Sequence, residues 1–288
     1  MARPAPGAQR SVAVLELLAA HPDERFTLSE VARRCDLNKA TAHALLNALS
    51  ERGVLLRHPE EKRYSLGPAL VTIGEAARRG YSAVDFADPT LRRLAADSGL
   101  WARGWVCQRD HLVAVAEAGR PASLSARPPA RLPLVPPIGA VVMAFADPRS
   151  IDSWLARAPA SAGARHVAEM LPTIRRDRCA VTLATPEWRM VVGSAAHHGP
   201  EPGGETWRAL LLAVAREPLL VAIPDGDAPM VISDVMAPVF GSSGEVALLV
   251  SLTSVDDAAR TSEAIAALAD RVARAADGLT ATVGGVRR

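Results

Sequence analysis

The chain has 288 residues, room for two domains of ordinary size, with 49% hydrophobic residues but only 4% aromatic, so its cores are built mainly from Ala, Val and Leu. At 22% charged residues and a net charge of +2 it reads as globular rather than disordered, and the basic excess sits in the first 80 residues, where phosphate binding would favour it. Three distant cysteines (Cys35, Cys107, Cys179) exclude a disulfide framework or a CxxC metal pair, no apolar run approaches the roughly 20 residues of a membrane span, and MARPAPGAQR lacks the apolar core of a signal peptide, so the expected compartment is the cytoplasm.

After a Pro/Gly/Ala tail, Gln9 to Ala20 is expected to be an amphipathic helix using Val12, Leu15, Leu18 and Ala19, stopped at His21-Pro22. Thr27 to Gly53 then reads as a short helix, a turn at Asp36-Leu37-Asn38 and a longer helix. Thr27 and Glu30 have the spacing of a capping box, and Asn38 supplies a cap for the second helix. Val31, with Leu28 and Cys35, points inward from the first helix. Leu45, Leu46 and Leu49 take one side of the second, and Lys39, His43 and Asn47 another. This is the pattern of a helix-turn-helix whose second helix enters the major groove of DNA. Two extended runs, 54–57 and 63–66, follow as a hairpin, a wing carrying Arg57, Lys62, Arg63 and Tyr64.

Gly67-Pro68 opens a helix from Ala69 to about Arg79, with Leu70, Ile73 and Ala77 at helical spacing, which reads as a linker. A further helix is expected over Pro89–Ser98. Beyond Gly99 the pattern becomes that of an α+β domain. Strands are expected at Trp101–Cys107, His111–Glu117, Cys179–Thr185, Leu219–Ile223, Met230–Phe240 and Glu245–Thr253, with a less certain period at Trp188–Gly193 also read as a strand. Helices are expected at 138–146, 151–156, 167–176 (the Met170-Leu171-Ile174 stripe), 205–216 and 256–278 (Ile265, Leu268, Val272), and loops at 118–137 and 197–204. On the last strand Val246, Leu248, Val250 and Leu252 form a core face, while Ser251 and Thr253 lie on the other. Ile232 and Asp234 share a face of the strand before it.

The segments SVAVLELLAAHP, LSEVARRCDLNKATAHALLNALSERGVLLR and RYSLGPALVTIG resemble the IclR-type bacterial transcriptional regulators, as do RLPLVPPIGAVVMAF, LPTIRRDRCAV and VISDVMAPVFGSSGEVALLVSLTS farther on. The resemblance implies a winged helix-turn-helix domain over 9–67, a linker helix over 68–82 and a GAF-like α+β domain over 83–288 that binds an effector and oligomerises. It implies a homodimer or homotetramer, a roughly palindromic double-stranded operator and control by a small organic metabolite. The DNA-contact positions it points to are Ser29, Asn38, Lys39, Thr41, His43, Asn47, Arg57, Lys62 and Arg63. The ligand positions are Leu132, Pro137, Ile138, Ile232, Asp234, Ser251 and Thr253. No catalytic residue, metal or cofactor is implied. The chain departs from the family at Ala40 and Ala44, where Ser and Arg are usual, in the stiff 135–139 segment, and in a long 186–229 connection.

Two features stay open. Trp101, Arg103, Trp105 and Cys107 share a strand face, which makes either an aromatic pocket wall with an Arg for a carboxylate or a packed strand with one Arg at solvent or an interface. The second is favoured, since large aromatics usually serve cores. His197-His198 near Glu201 could hold a metal, but adjacent histidines point apart. GxSxG, HExxH, P-loop and GxGxxG motifs are absent, which weighs against the competing reading, a metabolic enzyme with a DNA-binding head.

Overall fold

The computed structural model describes residues 5–79, 82–120, 131–158, 160–193, 205–221, 229–254 and 256–286. The chain forms two compact units, residues 1–80 and 81–288.

The first unit runs α1 (Pro6–Ala20), β1 (Phe26–Thr27), α2 (Leu28–Arg34), α3 (Lys39–Glu51), β2 (Leu55–Arg57), β3 (Arg63–Leu66) and α4 (Ala69–Arg79). The caps expected from the sequence form. The Thr27 hydroxyl accepts from the Glu30 amide at 3.3 Å while the Thr27 amide donates to Glu30 Oε2 at 2.7 Å, and Asn38 Oδ1 accepts from the Thr41 amide at 2.8 Å. The Thr27 amide also holds the Glu30 carboxyl below its usual range. Asp36 turns the chain between the helices with φ of 50°. Val14, Leu18, Phe26, Val31, Leu46, Leu55 and Tyr64 make the core.

Two readings change here, and a third gains detail. The buried stripe of α1 is Val14 and Leu18, one turn apart, and Val12 is 51% exposed. The wing is a three-stranded sheet of order β1-β3-β2, because Phe26 and Thr27 pair with Tyr64 and Arg63. Ile73 of α4 is 56% exposed, so the apolar stripe of that helix is not a core stripe.

The second unit runs α5 (Ser82–Ser98), β4 (Trp101–Gln108), β5 (His111–Ala118), β6 (Arg131–Pro133), α6 (Ala140–Met143), α7 (Pro148–Leu155), α8 (Ala162–Asp177), β7 (Ala180–Leu183), α9 (Pro186–Gly193), α10 (Glu205–Val214), β8 (Leu220–Val221), β9 (Ile232–Phe240), β10 (Val246–Thr253) and α11 (Ser262–Thr282). Among the described residues its strands form one antiparallel sheet of order β6-β5-β4-β10-β9-β7-β8. Apolar clusters lie on both faces. One joins Ala102, Val106, Val235, Leu248, Val250 and Leu252 to α5 and α11. The other joins Trp105, Ala180 and Leu249 to Leu134, Ile138, Trp154, Val167, Leu171 and Ile174. Each face is thus covered, as an α+β domain requires.

Helix α5 starts before Pro89, not at it. Ala87, Leu91, Leu94 and Ala95 are one buried stripe, and the exposed Pro89 ring stands on the opposite side, where it interrupts no packing. Residues 186–193 form a helix, not the expected strand. Thr185 Oγ1 accepts from the Trp188 amide at 3.2 Å, Pro186 and Glu187 occupy the first turn, and Trp188 and Val191 are buried at helical spacing. Helix α11 begins at the Thr261 cap rather than at Asp256. It passes Gly278 because Leu279 and Thr280 are buried, with the Thr280 hydroxyl accepting from the Phe240 amide at 3.0 Å. The 197–204 loop and its two histidines lie outside the described residues, as does the middle of the 118–137 loop.

Candidate functional site

On α3, Lys39 and His43 are exposed one turn apart, and Asn47 follows with its Nδ2 3.4 Å from the His43 ring nitrogens. Thr41 is half-buried at the capped start of the helix. Ala40 and Ala44 are exposed on α3 and carry no hydrogen-bonding group. Ser29, Asn38, Arg57 and Lys62 are exposed, and Lys62 turns the wing with φ of 52°. Arg63 is engaged within the unit: its Nη1 donates to the Arg25 carbonyl at 2.6 Å and pairs with Glu30 Oε2 at 3.3 Å, tying the wing to α2.

The second unit contains a cavity on the sheet face opposite α5 and α11. Its floor follows from strand register. One row across the sheet is Trp101, Thr253, Asp234 and Thr182; the next is Arg103, Ser251, Met236 and Ala180. Period-two alternation puts both rows on one face. The walls are Leu132 beside the floor, the Pro137–Val141 segment and α9 through Trp188 and Val191. Trp154 Nε1 donates to the Ile138 carbonyl at 3.1 Å and fixes that segment. Gly139 turns it with φ of +96°, and a Cβ there would lie 2.4 Å from Leu134 Cδ2, so a side chain at this position would strain the backbone and push the Leu134 tip aside. About 60 Å³ is open to the centre of a water-sized molecule, and at roughly 10–15 Å³ per water this suits a compact ligand.

The polar groups of this floor are nearly all buried. The Arg103 guanidinium is sandwiched between Trp101 and Trp105, 4.3 Å and 3.9 Å from their ring centres. Trp105 is held in turn by its Nε1, which donates to Ser251 Oγ at 3.0 Å. The Thr253 hydroxyl donates to Asp234 Oδ2 at 2.9 Å. Burial pushes the Asp234 carboxyl up to about 7, against the opposing pull of Thr253, the Arg103 charge and Ser251.

Leu132, Pro137, Ile138, Asp234 and Thr253 belong to the cavity wall, while Ser251 and Ile232 do not. Ser251 is fully buried behind Trp105. Ile232 packs on the opposite face, against the α5–α11 cluster, because the register slips between Thr182/Asp234 and Leu183/Ile232 and the extra residue, Ser233, breaks the alternation. Val246 likewise leaves the face of Leu248 at a slip between those two residues. Arg103 overturns the favoured reading of its strand: it is 5% exposed in a cavity, neither at solvent nor on a packed face. Trp188 and Thr182 had no role assigned from sequence. The Thr-Pro-Glu start at 185–187 was the signal that would have put Trp188 on a helix. Among the described residues no cluster of three His, Cys, Asp or Glu could hold a metal, and no helix is long and apolar enough to cross a membrane.

Residues 7–59 match the IclR helix-turn-helix domain. The first unit thus carries an IclR-type helix-turn-helix domain. Among curated relatives it is 30% identical over 109 residues to the HTH-type transcriptional regulator BhcR of Paracoccus denitrificans, a stretch covering 38% of each chain. It is 37% identical over 76 residues to the glycerol operon regulatory protein of Streptomyces griseus, covering 26% of this chain and 30% of that one. The match thus spans less than half the length of these relatives. The fold is shared more widely: the IclR transcriptional regulator from Alicyclobacillus acidocaldarius superposes with a TM-score of 0.71 at 22% identity, over 98% of this chain and 100% of that one. The IclR domain is thus followed by a second domain of the fold found in IclR structures.

Proposed function

We propose that this protein is a ligand-responsive transcriptional regulator of the IclR type, acting in the cytoplasm as a homodimer or homotetramer on a roughly palindromic operator. The first unit binds DNA through Lys39, Thr41, His43 and Asn47 of α3, with Ser29, Asn38, Arg57, Lys62 and Arg63 directed at the backbone. The cavity of the second unit takes a small organic effector and sets operator affinity. The observation that carries this reading is the conjunction, in one chain, of an IclR domain whose α3 exposes hydrogen-bonding groups and a domain with a buried, polar-floored cavity. Two-fold symmetry of the assembly is what calls for a palindromic site. With Ala40 and Ala44 on α3, sequence choice leans on Lys39, Thr41 and His43, on the wing and on half-site spacing.

The test is a salt-titrated gel shift of the full chain on DNA flanking its own gene. Arg57→Ala should weaken binding and lower the slope of log K against log salt by about one, the signature of one lost phosphate contact. Absence of retardation on any flanking fragment, together with turnover of a metabolite, would sink the regulator in favour of an enzyme.

A further inference from the structure

We propose that Ala40 and Ala44 of α3 read thymine methyl groups, so that the DNA under the first half of this helix is selected for thymine by apolar contact rather than by hydrogen bonds. The proposal rests on reading α3 as the helix that enters the major groove. It gives a positive role to two side chains that offer no donor or acceptor.

The place of the two alanines follows from the core. Ala42 and Leu46 are fully buried and define the inner edge of α3. At about 100° per residue, Ala44 then stands opposite that edge, and Ala40 lies within about 40° of the same outer line. Both are exposed, and both lie in the first half of the helix, which the Asn38 cap starts at Lys39. Lys39 and His43 are exposed to one side of that line, and so is Asn47, with its Nδ2 3.4 Å from the His43 ring. The long polar groups of α3 are thus placed toward one wall of a groove, and methyl groups face its floor.

Chemistry decides what such a face can read. A recognition helix meets base edges with its N-terminal residues. The base pairs display donors and acceptors in the major groove, and one apolar substituent, the thymine 5-methyl. Over guanine or cytosine an alanine would cover polar edges that it cannot satisfy. Over thymine it meets a methyl group, and the contact removes both from water. Side chains this short also let the α3 backbone come close enough to the groove floor for carbon–carbon contact at about 4 Å. Ala40 and Ala44 are about 6 Å apart along the helix at 1.5 Å per residue, or roughly two base-pair steps of 3.4 Å. Each half-site should therefore carry two thymines at about that separation.

The test begins with the full chain selecting binders from a pool of duplexes with a random centre. The enriched duplex is then made with uracil in place of thymine, one position at a time, which removes the methyl group and leaves pairing unchanged. At two thymines of each half-site uracil should weaken binding about fourfold, the worth of one buried methyl. At the same positions 5-methylcytosine, paired with guanine, should recover part of the affinity that plain cytosine loses. Ala40→Gly and Ala44→Gly should each abolish the uracil effect at one of the two positions and keep it at the other, which a general loss of helix propensity would not do. Uracil tolerated at every thymine, 5-methylcytosine binding no better than cytosine, or glycine variants as sensitive as the parent at both positions would each overturn the proposal. Should the glycine variants fail to fold or to bind, the two base-analogue arms on the parent decide alone. If no sequence is enriched, the reading of α3 as a DNA-binding helix fails and takes this proposal with it. Enrichment with full tolerance of uracil leaves that reading standing and removes only the methyl contact.

Discussion

Gly67→Ala is expected to unfold the winged helix-turn-helix unit while leaving the cavity-bearing unit intact. Gly67 joins the wing to α4 at a point where two backbones cross. A Cβ at this position would stand 2.2 Å from the Gly53 carbonyl oxygen and 2.9 Å from the carbonyl carbons of Gly53 and Leu55. These are main-chain atoms and cannot swing away. They are also held in place, since the Gly67 amide donates to the Val54 carbonyl at 2.8 Å and the Ala69 amide to the Gly53 carbonyl at 3.1 Å. Relief requires breaking one of these bonds or shifting β2, whose Leu55 is part of the seven-residue core. Forced overpacking costs on the order of 3 kcal/mol, a large share of what so small a core supplies. The control is Gly74→Ala, on the exposed side of α4 with nothing within 4 Å of the added carbon. There alanine should be neutral or stabilising by up to about 1 kcal/mol. Hydrogen exchange gives the readout. Amides of β1, α3 and β3 should lose protection in Gly67→Ala, and those of β9 and β10 should keep it. Unchanged protection across residues 26–66 would mean that the crossing yields more easily than its geometry implies.

The same unit shows what local sequence fixes. Caps are short-range, so Thr27, Glu30 and Asn38 could be read from spacing alone, and they form. Strand β1 could not be read, because two residues carry no period; only its pairing with Tyr64 and Arg63 defines it. The burial of Val14 rather than Val12 has the same origin, since several helix phases satisfy an Ala- and Leu-rich stretch and the packing partner chooses among them. In the second unit the alternation of β10 was legible, and with it the shared face of Ser251 and Thr253. The register slips at Ser233 and Ala247 were not, because a bulge is a property of two strands. Ile232 and Val246 therefore fell on the wrong face. Arg103 shows the limit most sharply. Period two put it beside two tryptophans, but its burial depends on β4 lying inside the sheet between β5 and β10, which is topology rather than pattern.

Asp234→Asn should stabilise the second unit, and only above acidic pH. The carboxyl titrates at about 7 in the folded protein against an ordinary 3.8, chiefly because it is buried. Below pH 3.8 it is protonated in both states and contributes nothing. Between 3.8 and 7 the unfolded chain gives up a proton that the folded chain keeps, so each rise in pH favours unfolding. Above about 7 the penalty is complete. The interval corresponds to about 4 kcal/mol as an upper bound, at 1.36 kcal/mol for each tenfold change. Asparagine is neutral throughout, nearly isosteric and still able to accept from Thr253. It also removes a carboxylate that interacts with the Arg103 charge, which offsets part of the gain, so about 2 kcal/mol is expected at pH 8. Denaturant titrations of parent and variant at pH 4, 6 and 8 measure it. The difference should be near zero at pH 4 and grow through pH 6 to pH 8. A difference independent of pH, or a variant weaker at pH 8, would mean that Asp234 is ionised and paired with Arg103 in the native state. A site that lowers stability at neutral pH and is relieved by a neutral isostere has the energetics of a group kept for binding rather than for folding.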